Sequence, residues 1–301
     1  MSSRRPSAPP PVPKVSVIVP VRDAADRIPA CLEALCAQSW PADALEVIVV
    51  DDGSVDGTRG RVRAYPVQLV AMGGVGSPYA ARNEGLARAQ GEILAFTDSD
   101  CTPAKDWVAE GVAKLQAEGA DLAAGQVRYR CSDPPRADEL FDAIRHVDHE
   151  RSVERGVAMT SNLFVRRAVF DALGPFDSER RSGEDAGFTG RATGAGYALV
   201  YAPEARAEKA SRRGLALWRK QVRVGRGQLL LWRAQGLPGR EMAWRTLLCL
   251  RPDRPSNLRA ELRRRGPAGS EHRLLRVWLA AWLFTAAQGF GRLLGALGGR
   301  G

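Results

Sequence analysis

The first two hundred residues alternate between two kinds of hydrophobic pattern. A β-branched run, Val15 to Val19, ends at Pro20 and predicts a buried parallel strand. Behind it, Ile28, Cys31, Leu32 and Leu35 recur at helical spacing and share one face. Leu45 to Val50 predicts a second buried strand, which runs directly into Asp51-Asp52-Gly53-Ser54. Val67 to Ala71 predicts a third. Ser77-Pro78 reads as an N-cap followed by a first-turn proline. The helix it opens carries Ala80, Ala81, Leu86 and Ala89, and Gly91 is placed to end it. Glu92 to Thr97 predicts a fourth strand, opening onto Asp98-Ser99-Asp100. Strands alternating with helices imply an α/β fold with a mostly parallel sheet and right-handed crossovers. Ligands of such sheets bind at the carboxyl ends of the strands, where both acidic clusters fall.

From about residue 206 the pattern changes, and segments rich in Arg, Trp and Leu replace the alternation. Leu215 to Ala234 predicts an amphipathic helix. Arg251 to Gly269 reads as a Pro- and Arg-rich connector. Val277 to Leu297 is apolar and long enough to span a bilayer, but Gln288 and Arg292 interrupt it. Arg273, Arg276 and Arg300 flank it, and Trp278 and Trp282 stand four apart. Three readings remain open: a helix lying in the membrane interface, a packed helix, and a span. The chain thus divides into a Ser/Pro/Arg-rich disordered leader (1–13), an α/β domain (14–205) and a helical, basic C-terminal region (206–301) for which membrane association is an expectation.

Composition narrows the classes. The 301 residues carry a formal net charge of +10. That surplus suits a polyanionic substrate or an anionic membrane surface, although an Arg-rich, Ala/Gly/Pro-rich chain is also what a GC-rich coding sequence yields. No nucleic-acid motif accompanies it, so no nucleic-acid partner is expected. Five cysteines without a C-x-x-C pair imply a reducing compartment and no structural zinc site. The leader has no apolar core of a secretory signal. A cytoplasmic protein at the inner membrane face is the expectation. His146 and His149, three apart, read as a solvated helix face rather than a metal pair.

The chemistry concentrates in the acidic clusters. Asp98 and Asp100, two apart on a loop, can converge on one hard cation that would bridge to a diphosphate; surface turns also use Asp freely. In Asp51-Asp52-Gly53-Ser54-Val55-Asp56-Gly57-Thr58 the glycines permit tight bends, and the carboxylates can accept bonds from a ribose or a base, or merely shape a polar turn. The first strand is not followed by G-x-G-x-x-G, and the chain has neither a G-x-x-x-x-G-K-[ST] phosphate loop nor a G-x-S-x-G elbow.

Taken together, VSVIVPVRDAADRIPACLEALCAQ, VIVVDDGSVDGT and AARNEGLARAQGEILAFTDSD resemble family 2 of the glycosyltransferases. Gly174-Pro175-Phe176-Asp177, Gly183-Glu184-Asp185-Ala186-Gly187-Phe188 and Arg191-Ala192 fit the same family, so the resemblance covers about residues 14 to 205. It implies a glycosyltransferase-A fold and an inverting transfer from a nucleotide diphosphate sugar to an acceptor hydroxyl, with Mg²⁺ or Mn²⁺. Pro20, Val21 and Asp52 match positions that hold the nucleoside, with Asp51 beside them. Arg82 matches a position near the diphosphate. Asp98 would lie near ribose or metal, and Asp100 would ligate the metal. Asp185 matches the catalytic base, and Glu184 would help orient the acceptor. Gln221-Val222-Arg223-Val224-Gly225-Arg226-Gly227 lacks the tryptophan of the Q-x-x-R-W motif of processive synthases, which implies one addition per acceptor. The acceptor's identity stays open, with a lipid-linked or cell-envelope acceptor suggested by the tail. Two alternatives are a nucleotidyltransferase and a non-catalytic nucleotide-sugar-binding protein.

Overall fold

The computed structural model describes residues 12–297 except 75 and 181. Most of the expected leader and Arg300 therefore lie outside the described residues. The order is β1 (Val15–Val21), α1 (Ile28–Cys36), β2 (Leu45–Asp51), α2 (Thr58–Val62), β3 (Gln68–Ala71), α3 (Pro78–Arg88), β4 (Ile93–Thr97) and β5 (Cys101–Pro103). Then come α4 (Trp107–Ala117), β6 (Leu122–Arg130), α5 (Ala137–Arg145), α6 (His149–Val153), β7 (Asn162–Arg166), α7 (Arg167–Leu173), α8 (Glu184–Gly194) and β8 (Leu199–Ala210). The chain closes with α9 (Gly214–Ala234), α10 (Gly239–Leu247), α11 (Pro255–Arg265) and α12 (Leu274–Leu297).

The strands form one mixed, mostly parallel sheet in the order β3-β2-β1-β4-β7-β6-β8-β5. β1 pairs in parallel with β2 and with β4, and chain order reverses across it, which creates a switch point between β1 and β4. Register aligns the ends there. Val21 pairs with Asp51, and pairing Ile18 with Phe96 brings the turn after Thr97 out beside the end of β1.

Period-two alternation explains the two layers. Val15, Val17 and Val19 pack with α1 and α4 on one face of the sheet. Ile18, Ile48 and Val50 point the other way, toward Tyr79, Phe170 and Phe188. As the sequence predicts, Ile28, Cys31, Leu32 and Leu35 form the buried face of α1, and the Ser77 hydroxyl accepts the Ala80 N–H at 3.3 Å.

A third cluster joins α5 to the C-terminal helices through Leu140, Phe141, Leu217, Leu258, Leu262 and Phe284. The expected connector over 251–269 contains α11. Pro255 opens it, arginine is a good helix former, and Leu258 and Leu262 anchor one face. α9 and α12 cross closely because Gly225 and Gly291 sit at the contact. A Cβ on Gly225 would come within 2.1 Å of the Gln288 carbonyl oxygen, and one on Gly291 within 2.2 Å of that of Val222.

No described helix is long and apolar enough to cross a membrane. Arg292, which disfavoured a span in the sequence, is buried against protein. It donates to the Arg245 carbonyl at 2.9 Å and to Gln228 Oε1 at 2.6 Å, and it stacks over Trp232. The two histidines are not a solvated face either. His149 is buried, with its ring nitrogens 2.6 Å from the Gly125 carbonyl and 3.0 Å from the Met159 N–H. His146 lies between Asp142 and Gln221.

Candidate active site

A cavity of about 740 Å³ opens at the carboxyl ends of β1 and β4. Pro20, Val21, Asp52, Arg82, Asp98, Asp100 and Asp185 all line it. Helices α9 and α12 supply much of the opposite wall, through Lys220, Arg223, Gly227 and Gln288. The C-terminal helices therefore belong to the site, although sequence reading set them apart from the α/β domain.

The two acidic residues after β2 separate in role. Asp51 is fully buried and does not reach the cavity. Its Oδ2 accepts from Ser54 N–H at 3.2 Å and Arg59 Nε at 2.5 Å, which fixes the turn. Asp52 lines the cavity. Its Oδ2 accepts the Gly76 N–H at 2.8 Å, while its buried Oδ1 has no hydrogen-bond partner. An unsatisfied buried carboxylate oxygen is costly, and an N–H or O–H group from a ligand would satisfy it. The turn needs Gly53, whose φ is +74° and where a Cβ would stand 2.7 Å from Gly74 Cα.

The turn after β4 is different. Asp98 accepts from Arg82 Nη2 at 2.8 Å and from Lys209 Nζ at 2.8 Å. Asp100 lies 2.7 Å from the same Lys209 Nζ and 2.9 Å from Arg212 Nη2. Burial alone would raise the Asp98 pKa, but Lys209 and Arg82 hold its carboxyl well below the usual range. Burial likewise opposes the charge on Lys209, yet Asp98 overcomes it and keeps the amine protonated. The sequence singles out neither Lys209 nor Arg212. One signal was present: Ala205, Ala207 and Lys209 share the buried face of β8, and a lysine breaks that small apolar series.

Whether a divalent cation fits is decided by these contacts. Asp98, Asp100 and Cys101 place ligand atoms within 4.8 Å of one another, and Asp100 Oδ1 makes no aligned hydrogen bond. Against this, burial pushes the Cys101 thiol up to about 12, and a neutral sulfur is a poor ligand for a hard ion. The Lys209 ammonium also sits between the two carboxylates. Two unit charges 4 Å apart interact by about 4 kcal/mol at an effective dielectric of 20, so Lys209 would oppose a dication there by about twice that, offsetting much of what the two carboxylates contribute. The side chains as arranged do not fit Mg²⁺ or Mn²⁺.

Asp185 stands in the first turn of α8, behind Gly183. Its Oδ1 accepts from the Tyr79 hydroxyl at 3.2 Å and from Ala186 N–H at 3.0 Å. Although the carboxylate reaches the cavity, burial raises its pKa above the ordinary aspartate value. Tyr79 also accepts the Glu184 N–H at 3.1 Å, and its ring carries the Arg82 guanidinium 5.5 Å from its centroid. Tyr79 thus links Asp185 to the Asp98 cluster. Glu184 is fully buried and does not line the cavity. It is clamped by Arg191 at 2.8 Å and Arg180 at 3.3 Å. Beyond the expected residues, Lys220 donates to Asp142 at 2.7 Å, and burial lowers its pKa to about 8.

A sheet of this order, with a cavity lined by acidic and basic groups at its switch point, is that of the glycosyltransferase-A fold. Residues 16–174 match the model described as glycosyl transferase family 2. Glycosyltransferase AglE of Haloferax volcanii is 36% identical over 291 residues, 94% of this chain and 96% of the relative. The chain belongs to glycosyltransferase family 2. Among solved structures it resembles the mannosyltransferase PcManGT from Pyrobaculum calidifontis, solved with GDP-Man and Mn²⁺. The TM-score is 0.58 at 20% identity, covering 96% of this chain and 76% of that one. It also resembles S. aureus TarS 1-349 in complex with UDP-GlcNAc, with TM-score 0.56, 19% identity and 90% of each chain covered. At these identities the likeness speaks for the fold.

Proposed function

We propose that this enzyme transfers a sugar, with inversion, from a nucleoside diphosphate sugar to one acceptor hydroxyl per cycle. The observation that carries the reading is the convergence of Asp52, Arg82, Asp98 and Asp185 on one cavity at the switch point. Pro20, Val21 and Asp52 hold the nucleoside, and the free Asp52 Oδ1 accepts from it. Arg82 faces the diphosphate. Asp185 takes the acceptor proton as that oxygen attacks the anomeric carbon from the side opposite the departing diphosphate. Its raised pKa suits a base working near neutrality. Asp51 shapes the turn, and Glu184 fixes the start of α8 rather than touching the acceptor. The expected Mg²⁺ or Mn²⁺ is not built into this reading, because Lys209 already bridges the pair that would hold it.

A screen of common nucleotide sugars for release of nucleoside diphosphate tests this. One donor should turn over, and Asp185→Asn should suppress the reaction. Formation of nucleoside triphosphate from a donor and added pyrophosphate would instead make the protein a nucleotidyltransferase. Tight donor binding without any turnover would favour a binding protein.

The reading includes a place of work, the surface of an anionic membrane, with a lipid-linked acceptor. An exposed apolar surface supports it: Leu275, Leu279, Leu283 and Leu293 on α12, with Trp244, Leu247 and Leu250 nearby in sequence to Arg240, Arg245 and Arg251. Apolar burial and basic attraction together anchor a protein where either alone is marginal. Full-length protein should sediment with phosphatidylglycerol vesicles and much less with phosphatidylcholine. Replacing Leu275 and Leu279 by Ser should weaken the association by about tenfold or more. A wild-type protein that ignores anionic vesicles removes this part of the reading.

A further inference from the structure

We infer that Lys209 and Arg212, rather than a divalent cation held by Asp98 and Asp100, neutralise the leaving diphosphate. The inference rests on the donor assignment proposed above.

Asp98 and Asp100 bring two negative charges to the turn after β4. Arg82, Lys209 and Arg212 contact them at 2.7 to 2.9 Å and bring three positive charges. The cluster is therefore net positive by one before any ligand arrives, which suits an anion and repels a dication. Lys209 is also poorly placed to step aside. It is 5% exposed, and its residue pairs with Cys101 on one side and Tyr129 on the other within the sheet.

The same groups retain donors for a phosphate. An ammonium has three N–H groups; one of Lys209's donates to Asp98, and its 2.7 Å contact with Asp100 is not an aligned hydrogen bond. Arg82 Nε is buried and has no partner. Lys209, Arg212, Arg82 and Arg223 all line the cavity. In this arrangement Asp98 and Asp100 position Lys209 and Arg212. The chemistry then balances without a further reagent. The acceptor oxygen forms the new bond to the anomeric carbon, and its proton passes to Asp185. The bond from that carbon to the diphosphate oxygen breaks, and the electron pair leaves on the diphosphate. The fixed cations meet that charge where it develops.

The test is calorimetric titration of full-length protein with UDP and with GDP, first in EDTA and then in excess Mn²⁺, with donor turnover measured in parallel. The nucleotide that binds should do so with an affinity that changes by less than about tenfold between the two conditions. Turnover should survive the chelator. Lys209→Met should weaken nucleotide binding by about tenfold or more, the scale of a lost charge-assisted hydrogen bond, while Lys209→Arg should retain it. If Lys209→Met fails to fold, Lys209→Arg and the wild-type comparison still decide. Turnover abolished by EDTA and restored by Mn²⁺, or nucleotide affinity raised more than about tenfold by Mn²⁺, overturns the inference while leaving glycosyl transfer intact. A protein that binds neither nucleotide under either condition overturns this inference and the donor assignment together.

Discussion

Two acidic turns end neighbouring parts of the same sheet, and they are held in opposite ways. After β2, Asp51 and Asp52 find their partners nearby in sequence: Ser54 three residues on, Arg59 eight, Gly76 twenty-four. After β4, Asp98 and Asp100 meet one helical arginine sixteen residues back and two cations 111 and 112 residues away. The first turn is finished by local chemistry and leaves Oδ1 of both Asp51 and Asp52 without a partner, of which only Asp52 lines the cavity. The second becomes a charged cluster only when β8 and the segment leading into α9 dock beside it. Similar strings of Asp in the sequence thus yield a preformed acceptor in one place and a scaffold for cations in the other.

The largest effect should come from the acid that belongs to neither turn. Asp185→Asn is nearly isosteric and should lower transfer by about 10²–10⁴, with donor affinity within severalfold. In the wild type, the base works only when ionised, so rate falls as pH drops through its pKa. Because burial raises that pKa, the acid limb should lie above the ordinary aspartate range, and the variant should lose it. Initial rates against pH measure both. Retention of more than about a tenth of the wild-type rate would exclude Asp185 as the base.

Stability should separate the two turns next. Asp100→Ala leaves the buried Lys209 and its neighbour Arg212 short of negative charge, and losing one partner of a buried ion pair costs about 3–5 kcal/mol. Asp51→Ala should cost less, about 1–3 kcal/mol, because the partly exposed Arg59 can turn to water. Urea denaturation of both variants gives the ranking, and equal losses would erase the distinction.

Docking of the C-terminal helices is tested by Gly225→Ala. The added methyl meets the Gln288 backbone, and overpacking of this kind costs about 1–3 kcal/mol. Since α9 and α12 wall the cavity, nucleotide affinity should fall along with stability. A variant that unfolds earlier yet binds nucleotide normally would mean that this wall matters little to the donor.

The smallest change should follow Asp52→Asn. The amide oxygen can still accept the Gly76 N–H, so the turn survives while the charge on the free oxygen is lost. Nucleotide affinity should fall by about tenfold, the worth of one charge-assisted bond. An unchanged affinity would take Asp52 out of the donor site.

By itself, the sequence determined the strands of the first half of the sheet and where its acidic turns fall. Val15 to Val19, Leu45 to Val50 and the Ser77-Pro78 start are local signals, and local signals survive folding because periodicity and capping act over a few residues. Asp52 and Asp185 stood out for the same reason, each embedded in a short motif. Tertiary structure decided the rest. The sequence could not show that Asp51 turns inward, that Glu184 is clamped by Arg180 and Arg191, or that a Pro- and Arg-rich connector is helical around Leu258 and Leu262. Nor could it show that Lys209 lies between Asp98 and Asp100, because that contact joins strands more than a hundred residues apart. Charge balance in a buried cluster is set by every group within a few ångströms, whatever its place in the chain. That is why the acidic pair was legible from the sequence and its cations were not.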